Sequence, residues 1–272
     1  MRSVRNCCAC EAKPEILPMQ RVALRVEHMK QKIGAQLIVW GERQAKDLGG
    51  VLKEVSSLGY AGVEMGPGPL ERLEHPKELF ASNGLVLAAL HIGVGDKGIA
   101  ETCLQLLRRC DAHYLIFSGA GGRGNTEKEY RENSRFMRTI AEKSRDLDIR
   151  VCYHNHYQEI VDGAKGIKII CSDVEPELLS LCVDTFWVQY AGASPVQFLK
   201  ENLDRVSYLH LKDLREKEFV ELGQGVVDFP GVFKAIEGRK VEWAVVEQDR
   251  TKSTPKESMQ ISRRYLKEKL GL

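Results

Sequence analysis

Four side chains able to hold a divalent cation stand at the ends of apolar runs: His154 after RVCY, Asp184 after LSLCV, His210 after RVSYL and Glu247 after EWAVV. Two imidazoles and two carboxylates make a shell suited to Mn, Co, Fe or Zn rather than to Ca, with one or two positions open to substrate oxygens. An ion chelated by a carbonyl oxygen and a neighbouring hydroxyl stabilises the enediolate formed when the α-proton leaves. A base must then stand within about 3 Å of that proton. Glu247 is the first candidate, doubling as a ligand, followed by His156 and Glu159. Lys212, Glu64 and His91 are candidate substrate contacts or proton donors, and Glu221 joins the expected substrate-binding rim.

Each of these residues also has a structural alternative. Lys212 can pair with Asp213 or Glu221, Glu64 can hold the rim through a salt bridge, and His156 can orient a ligand rather than react. Trp40, Phe186 and Trp187 form an apolar wall for a sugar face, with core packing the alternative for at least one of them. Gly223 and Gly225, ahead of a helix beginning near Phe229, offer a place for a phosphate, although a lone G-x-G is a weak signal.

The elements that must position these groups recur along the chain. Apolar, β-branched runs are expected as strands at 33–40, 61–66, 85–93, 113–119, 149–156, 179–187, 205–212 and 241–248, each followed by helical spacing. Near-continuous apolar strands alternating with helices indicate a parallel sheet covered on its outer face. Eight units in this length predict an α/β chain closed as a (β/α)8 TIM barrel. An open doubly wound sheet would carry G-x-G-x-x-G after its first strand; here that place reads VWGERQ. In a barrel all the candidate residues share one rim. Gly59, Gly84 and Gly238 are expected to close helix ends in the left-handed conformation.

Composition sets the outer limits. The chain has 272 residues, 43% apolar and 29% charged, which suffices for one large core. Residues 32–272 are expected as one barrel domain, and residues 1–31 as a poorly ordered N-terminal extension in which Met19 or Met29 is an alternative start. A net charge of +2 argues against a nucleic-acid partner. Cys152, Cys171 and Cys182 sit in or beside apolar patterns and are expected as free thiols of a reducing cytoplasm. Cys7, Cys8 and Cys10 lack a second ligand pair at zinc spacing. No run is apolar for long enough to span a membrane, and no secretory core is present.

The motifs YHNH (153–156), VDTFWVQYAG (183–192), HLKD (210–213), ELGQGVVDFP (221–230) and VVEQDR (245–250), with GVEMGP near the second strand, carry a resemblance. The chain resembles the sugar phosphate isomerase/epimerase family of xylose isomerase-like barrels over residues 32 to 252. That grouping includes inosose dehydratases, hydroxypyruvate isomerases, ketose 3-epimerases and, more remotely, endonuclease IV. It implies a divalent metal held by His154, Asp184, His210 and Glu247. The epimerases of the group carry Glu where this chain has His154, and a two-carboxylate mechanism needs that Glu. The resemblance therefore implies an isomerase or epimerase acting on a keto-sugar or inositol-derived polyol, with a dehydratase or lyase as the alternative and a phosphodiesterase of the endonuclease IV type more remote. Homo-oligomerisation is left open.

Overall fold

The computed structural model describes residues 31–272. The expectations for Cys7, Cys8, Cys10, Met19 and Met29 lie outside the described residues.

Eight strands close into a parallel barrel: β1 (Lys32–Gln36), β2 (Gly62–Met65), β3 (Val86–Gly93), β4 (Tyr114–Ser118), β5 (Arg150–His154), β6 (Leu179–Asp184), β7 (Val206–Leu211) and, after a small hairpin, β10 (Trp243–Val246). Each neighbour pair is parallel, and β1 meets β10 with Lys32 opposite Trp243 to shut the ring. Helices follow the strands, among them Leu48–Ser57, Ala100–Cys110, Glu127–Ser144, Tyr157–Asp173, Pro195–Asn202 and Pro255–Leu270. The (β/α)8 expectation holds.

Alternation along the strands separates two cores. Leu115, Phe117, Val151, Tyr153, Leu181, Val183, Leu209 and Leu211 belong to the large outer cluster shared with the helices. Ile116, Cys152, Cys182, Tyr208, Trp243 and Val245 form a separate cluster inside the ring. Inward positions pair small with large: a Cβ on Gly62 would meet the Trp243 ring at 2.7 Å, and one on Gly34 would meet Val245 at 2.8 Å. The same parity that turns Cys152, Cys182 and Tyr208 inward turns His154, Asp184 and His210 inward, two residues further on. Strand periodicity thus delivers the polar groups to the carboxyl mouth, above an apolar floor.

Gly59, Gly84 and Gly238 take φ of 80°, 67° and 72° at helix ends, as expected. Two expected strands end early, and one element is new. The run expected as a strand over 33–40 leaves extended backbone after Gln36 and turns through a 3-10 helix, Leu37–Trp40. The run expected over 179–187 ends at Asp184, whose Oδ1 accepts the Trp187 N–H at 2.9 Å and caps a helix, Thr185–Tyr190. A hairpin of β8 (Asp213–Arg215) and β9 (Glu218–Val220) was not expected at all. Its turn residues, Glu216 and Lys217, have φ of 54° and 64°, a conformation normally signalled by Asn or Gly. Among the described residues Cys103, Cys110, Cys152, Cys171 and Cys182 are free thiols. No described helix is long and apolar enough to cross a membrane.

Candidate metal centre

The ligand atoms of His154, Asp184, His210 and Glu247 lie within 4.8 Å of one another, all buried. Metal bonds of about 2.0–2.2 Å put opposite ligands of one ion about 4.4 Å apart, so the cluster has the size of a single coordination shell. His154 Nε2 stands 3.0 Å from Asp184 Oδ2 and 3.7 Å from Glu247 Oε2. His210 Nδ1 is 2.7 Å from Glu247 Oε2, yet neither atom makes a hydrogen bond, because the two face each other off the hydrogen-bonding direction. Burying both atoms without an aligned hydrogen bond is costly unless something else binds them, and Lys212 Nζ, 3.1 Å from Glu247 Oε2, offsets part of that cost. A divalent cation fits the donor set and the unmet valence.

The backbone around the cluster is fixed by side chains that the sequence reading did not single out. Asn155 accepts the Asp184 N–H at 3.0 Å, continuing the pairing of β5 with β6. Thr185 Oγ1 accepts the Lys212 N–H at 3.0 Å and donates to the Lys212 carbonyl at 2.7 Å. These contacts hold two loops in register, and no spacing rule announces them.

Lys212 points into the cluster and is 1% exposed. Its Nζ lies 3.3 Å from Asp184 Oδ2, 3.1 Å from Glu247 Oε2 and 2.8 Å from Asp249 Oδ1. Burial opposes the ammonium form, but Asp184, Glu247 and Asp249 outweigh it and hold the group well above its ordinary value. The expected partners of Lys212 are otherwise engaged. Asp213 accepts the N–H groups of Leu214, Gly223, Gly225 and Val227 at 2.9–3.1 Å, and Glu221 accepts from Thr251 at 3.0 Å. The Asp213 carboxylate therefore occupies the anion cradle expected at Gly223 and Gly225 for a phosphate. Asp228 caps the following helix, Phe229–Ala235, through the Gly231 N–H.

His156 lies beside the shell, its ring centroid 5.0 Å from that of His154 and 5.5 Å from that of Trp187. Burial, reinforced by Lys212 and His91, brings its imidazole down to about 4. Glu159 turns away from the mouth: it accepts the His156 N–H at 2.7 Å and the Tyr130 hydroxyl at 3.2 Å. Trp187 and Phe219 form a wall, with Lys212 Nζ 5.6 Å and 5.5 Å from their ring centroids. Phe186 stacks behind Phe219 at 4.1 Å. Trp40 is buried in the outer core and donates its indole N–H to Glu54 at 2.8 Å. Glu64 sits beneath the shell between His91 and His210.

A stability prediction follows from His156. The unfolded imidazole titrates near 6.5 and the folded one near 4, so between those values the unfolded chain binds the extra proton. Stability of the metal-free protein is full above pH 6.5 and falls as pH drops toward 4, by about 3 kcal/mol from this group. Urea unfolding across this window should show a weaker pH slope for His156→Gln than for wild type. Identical slopes would refute the assignment.

The fold and the cluster define a (β/α)8 barrel whose carboxyl mouth holds a buried centre of two imidazoles and two carboxylates. The model for the xylose isomerase-like TIM barrel matches residues 52–269, and the chain belongs to that family. It is 27% identical over 293 aligned positions to an inosose dehydratase of Geobacillus kaustophilus, covering 86% of this chain and 93% of that protein. With the inosose dehydratase of Clostridium tetani it is 25% identical over 169 positions, covering 54% of this chain and spanning only 57% of that relative's length. A sugar phosphate isomerase/epimerase from Parabacteroides distasonis superposes with a TM-score of 0.73 at 18% identity, covering 92% of this chain and 98% of its own. The IolI protein, solved with a bound zinc atom, superposes at 0.68 and 16% identity, covering 87% and 97%.

Proposed function

We propose that the chain is a divalent-metal-dependent enzyme that removes the proton α to the carbonyl of a keto-sugar or inositol-derived ketone, and that the outcome is loss of a β-hydroxyl as water. The observation that carries this reading is the convergence of His154, Asp184, His210 and Glu247 around buried polar atoms that lack aligned hydrogen bonds, with a buried ammonium group beside them. The zinc in the IolI structure supports a divalent ion as the occupant.

One ion held by these four residues would supply Lewis-acid polarisation of the carbonyl and a neighbouring hydroxyl, which lowers the cost of the enediolate. The chain's own groups do the rest. Glu247 Oε2 lies within ion-pair distance of His210 and Lys212, and Glu159 faces Tyr130, which leaves His156 as the base with a neutral imidazole. It takes the α-proton onto a ring nitrogen. Lys212 Nζ gives a proton to the departing hydroxyl, so that water leaves rather than hydroxide. Asp249, 28% exposed and 2.8 Å from Lys212 Nζ, connects that ammonium with solvent and restores its proton. Trp187 and Phe219 shield the site from bulk water.

Dehydration is preferred over epimerisation because His154 stands where a second carboxylate would be needed to return a proton to the opposite face. The inosose dehydratase of Geobacillus kaustophilus, aligned over 86% of this chain, supports the same choice. Isomerisation or epimerisation is the second reading, favoured by the solvent-linked Asp249–Lys212 pair, which could reload an acid able to protonate carbon.

The test is metal content of the purified protein, with a panel of inososes and keto-sugars followed by NMR in D2O. About one equivalent of ion, metal-dependent α-deuterium exchange and release of a dehydrated product are expected. Exchange with return to a sugar isomer selects the second reading. Absence of both metal and exchange defeats the proposal.

A further inference from the structure

Glu64 lies on β2, is 0% exposed and has both carboxylate oxygens engaged. Oε1 is 3.0 Å from His91 Nδ1, and Oε2 is 2.8 Å from His210 Nε2. With both oxygens taken by imidazoles, neither is free for a substrate in the mouth. Its chemistry must be exerted through the two imidazoles.

Proton counting fixes what those imidazoles present. An ionised carboxylate only accepts, so His210 Nε2 and His91 Nδ1 both carry their N–H toward Glu64. With an ion in the shell His210 must be neutral to ligate, and a neutral imidazole has a single N–H. His210 Nδ1 is therefore left with a lone pair, and it is this atom that lies 2.7 Å from Glu247 Oε2 in the shell. His91 Nε2 is likewise left as an acceptor, and the Ser118 hydroxyl stands 3.1 Å away to donate to it. Each member of the row Ser118, His91, Glu64, His210 thus has its proton placed by its neighbour. His154, the other imidazole of the shell, has no such support, and its Nδ1 is buried without a partner.

We propose that Ser118, His91 and Glu64 form a positioning relay that locks the tautomer and ring plane of His210, making Nδ1 the ligating nitrogen and His210 the preorganised ligand of the pair. Glu64 and His91 are then positioning residues rather than substrate contacts. The inference rests on the metal reading above. Outer partners of this kind orient the ligand and raise its basicity, and their loss costs roughly 10–100-fold in metal affinity.

The experiment uses the full chain loaded with Co2+, titrated against a chromophoric chelator and observed by its visible absorption. Glu64→Gln keeps the shape but offers one oxygen and one NH2 group, so one of the two imidazoles must flip its tautomer. Affinity is expected to fall roughly 10–100-fold, and the absorption of the Co2+-saturated variant to change in position or intensity. A merely structural role would leave that spectrum unmoved. Ser118→Ala removes the far end of the row and should shift the same readouts in the same direction by less. Wild-type affinity and spectrum in both variants, with Asp184→Ala losing the ion, overturn the relay alone. If Glu64→Gln does not fold, an unchanged spectrum in Ser118→Ala overturns it. A wild-type protein that takes up no Co2+ overturns the relay together with the metal reading.

Discussion

Asp184→Ala is expected to lose its metal and its α-proton exchange together. Asp184 Oδ2 lies 3.0 Å from His154 Nε2 and 3.3 Å from Lys212 Nζ, so one truncation removes a ligand and a counter-charge. The fall in metal affinity should exceed the roughly 10–100-fold typical of residues that only support a ligand. The same carboxylate caps the helix Thr185–Tyr190, and losing a cap costs about 1 kcal/mol. Asp184→Asn separates the two roles, because Asn caps as well as Asp but is a poor ligand for a hard or borderline cation. Metal content and exchange should collapse in both variants while Asp184→Asn melts closer to wild type. An Asp184→Asn protein that holds its ion and exchanges at the wild-type rate would remove Asp184 from the centre.

Lys212→Met should separate the two halves of the proposed reaction. The variant keeps the four candidate ligands and His156, so α-deuterium exchange should persist. Product formation should fall by roughly 10²–10⁴-fold, the usual worth of a positioned general acid. Met occupies similar volume, but Asp184, Glu247 and Asp249 then face one another without their shared cation. Breaking a buried ionic set in this way costs about 3–5 kcal/mol. Saturating metal should recover part of that loss, since the ion takes over as counter-charge. The decisive reading is the ratio of exchange to product. If both fall equally, Lys212 supports the site without acting as the acid, and if neither falls, it has no part in the chemistry.

Much of the fold was legible because the barrel's two periodicities are written in the chain. Apolar runs such as LVLAALHIG and HYLIFSG declare buried parallel strands, and a polar residue at each run's end declares the rim. Where the runs misled, a polar side chain decided the boundary: the carboxylate of Asp184 captures the Trp187 N–H and starts a helix in a stretch whose composition still reads as strand. The hairpin that brings Phe219 to the wall stayed hidden because its turn uses Glu216 and Lys217, residues with no turn signature. Convergence of His154, Asp184, His210 and Glu247 could be inferred from strand ends alone. Direction could not. That Glu64 lies below the shell, that Trp40 turns outward to Glu54, and that Asp213 serves backbone amides depend on which way each side chain leaves its strand.

The seam where β1 meets β10 joins residues from opposite ends of the described chain. Such a pairing is non-local and carries a long loop-closure cost. Glu247 immediately follows β10, beside that seam, while its companions hang from β5, β6 and β7. The four candidate ligands thus hang from one contiguous run of strands, β5, β6, β7 and β10, and an ion that binds there would tie that half of the ring together. Ion at about one hundred times its dissociation constant would stabilise the folded form by about 2.7 kcal/mol. Starved of metal, the chain would unfold more often and be exposed to proteases and to other chains. Supply of a trace element would then govern how much of this protein persists, quite apart from how fast it turns over substrate.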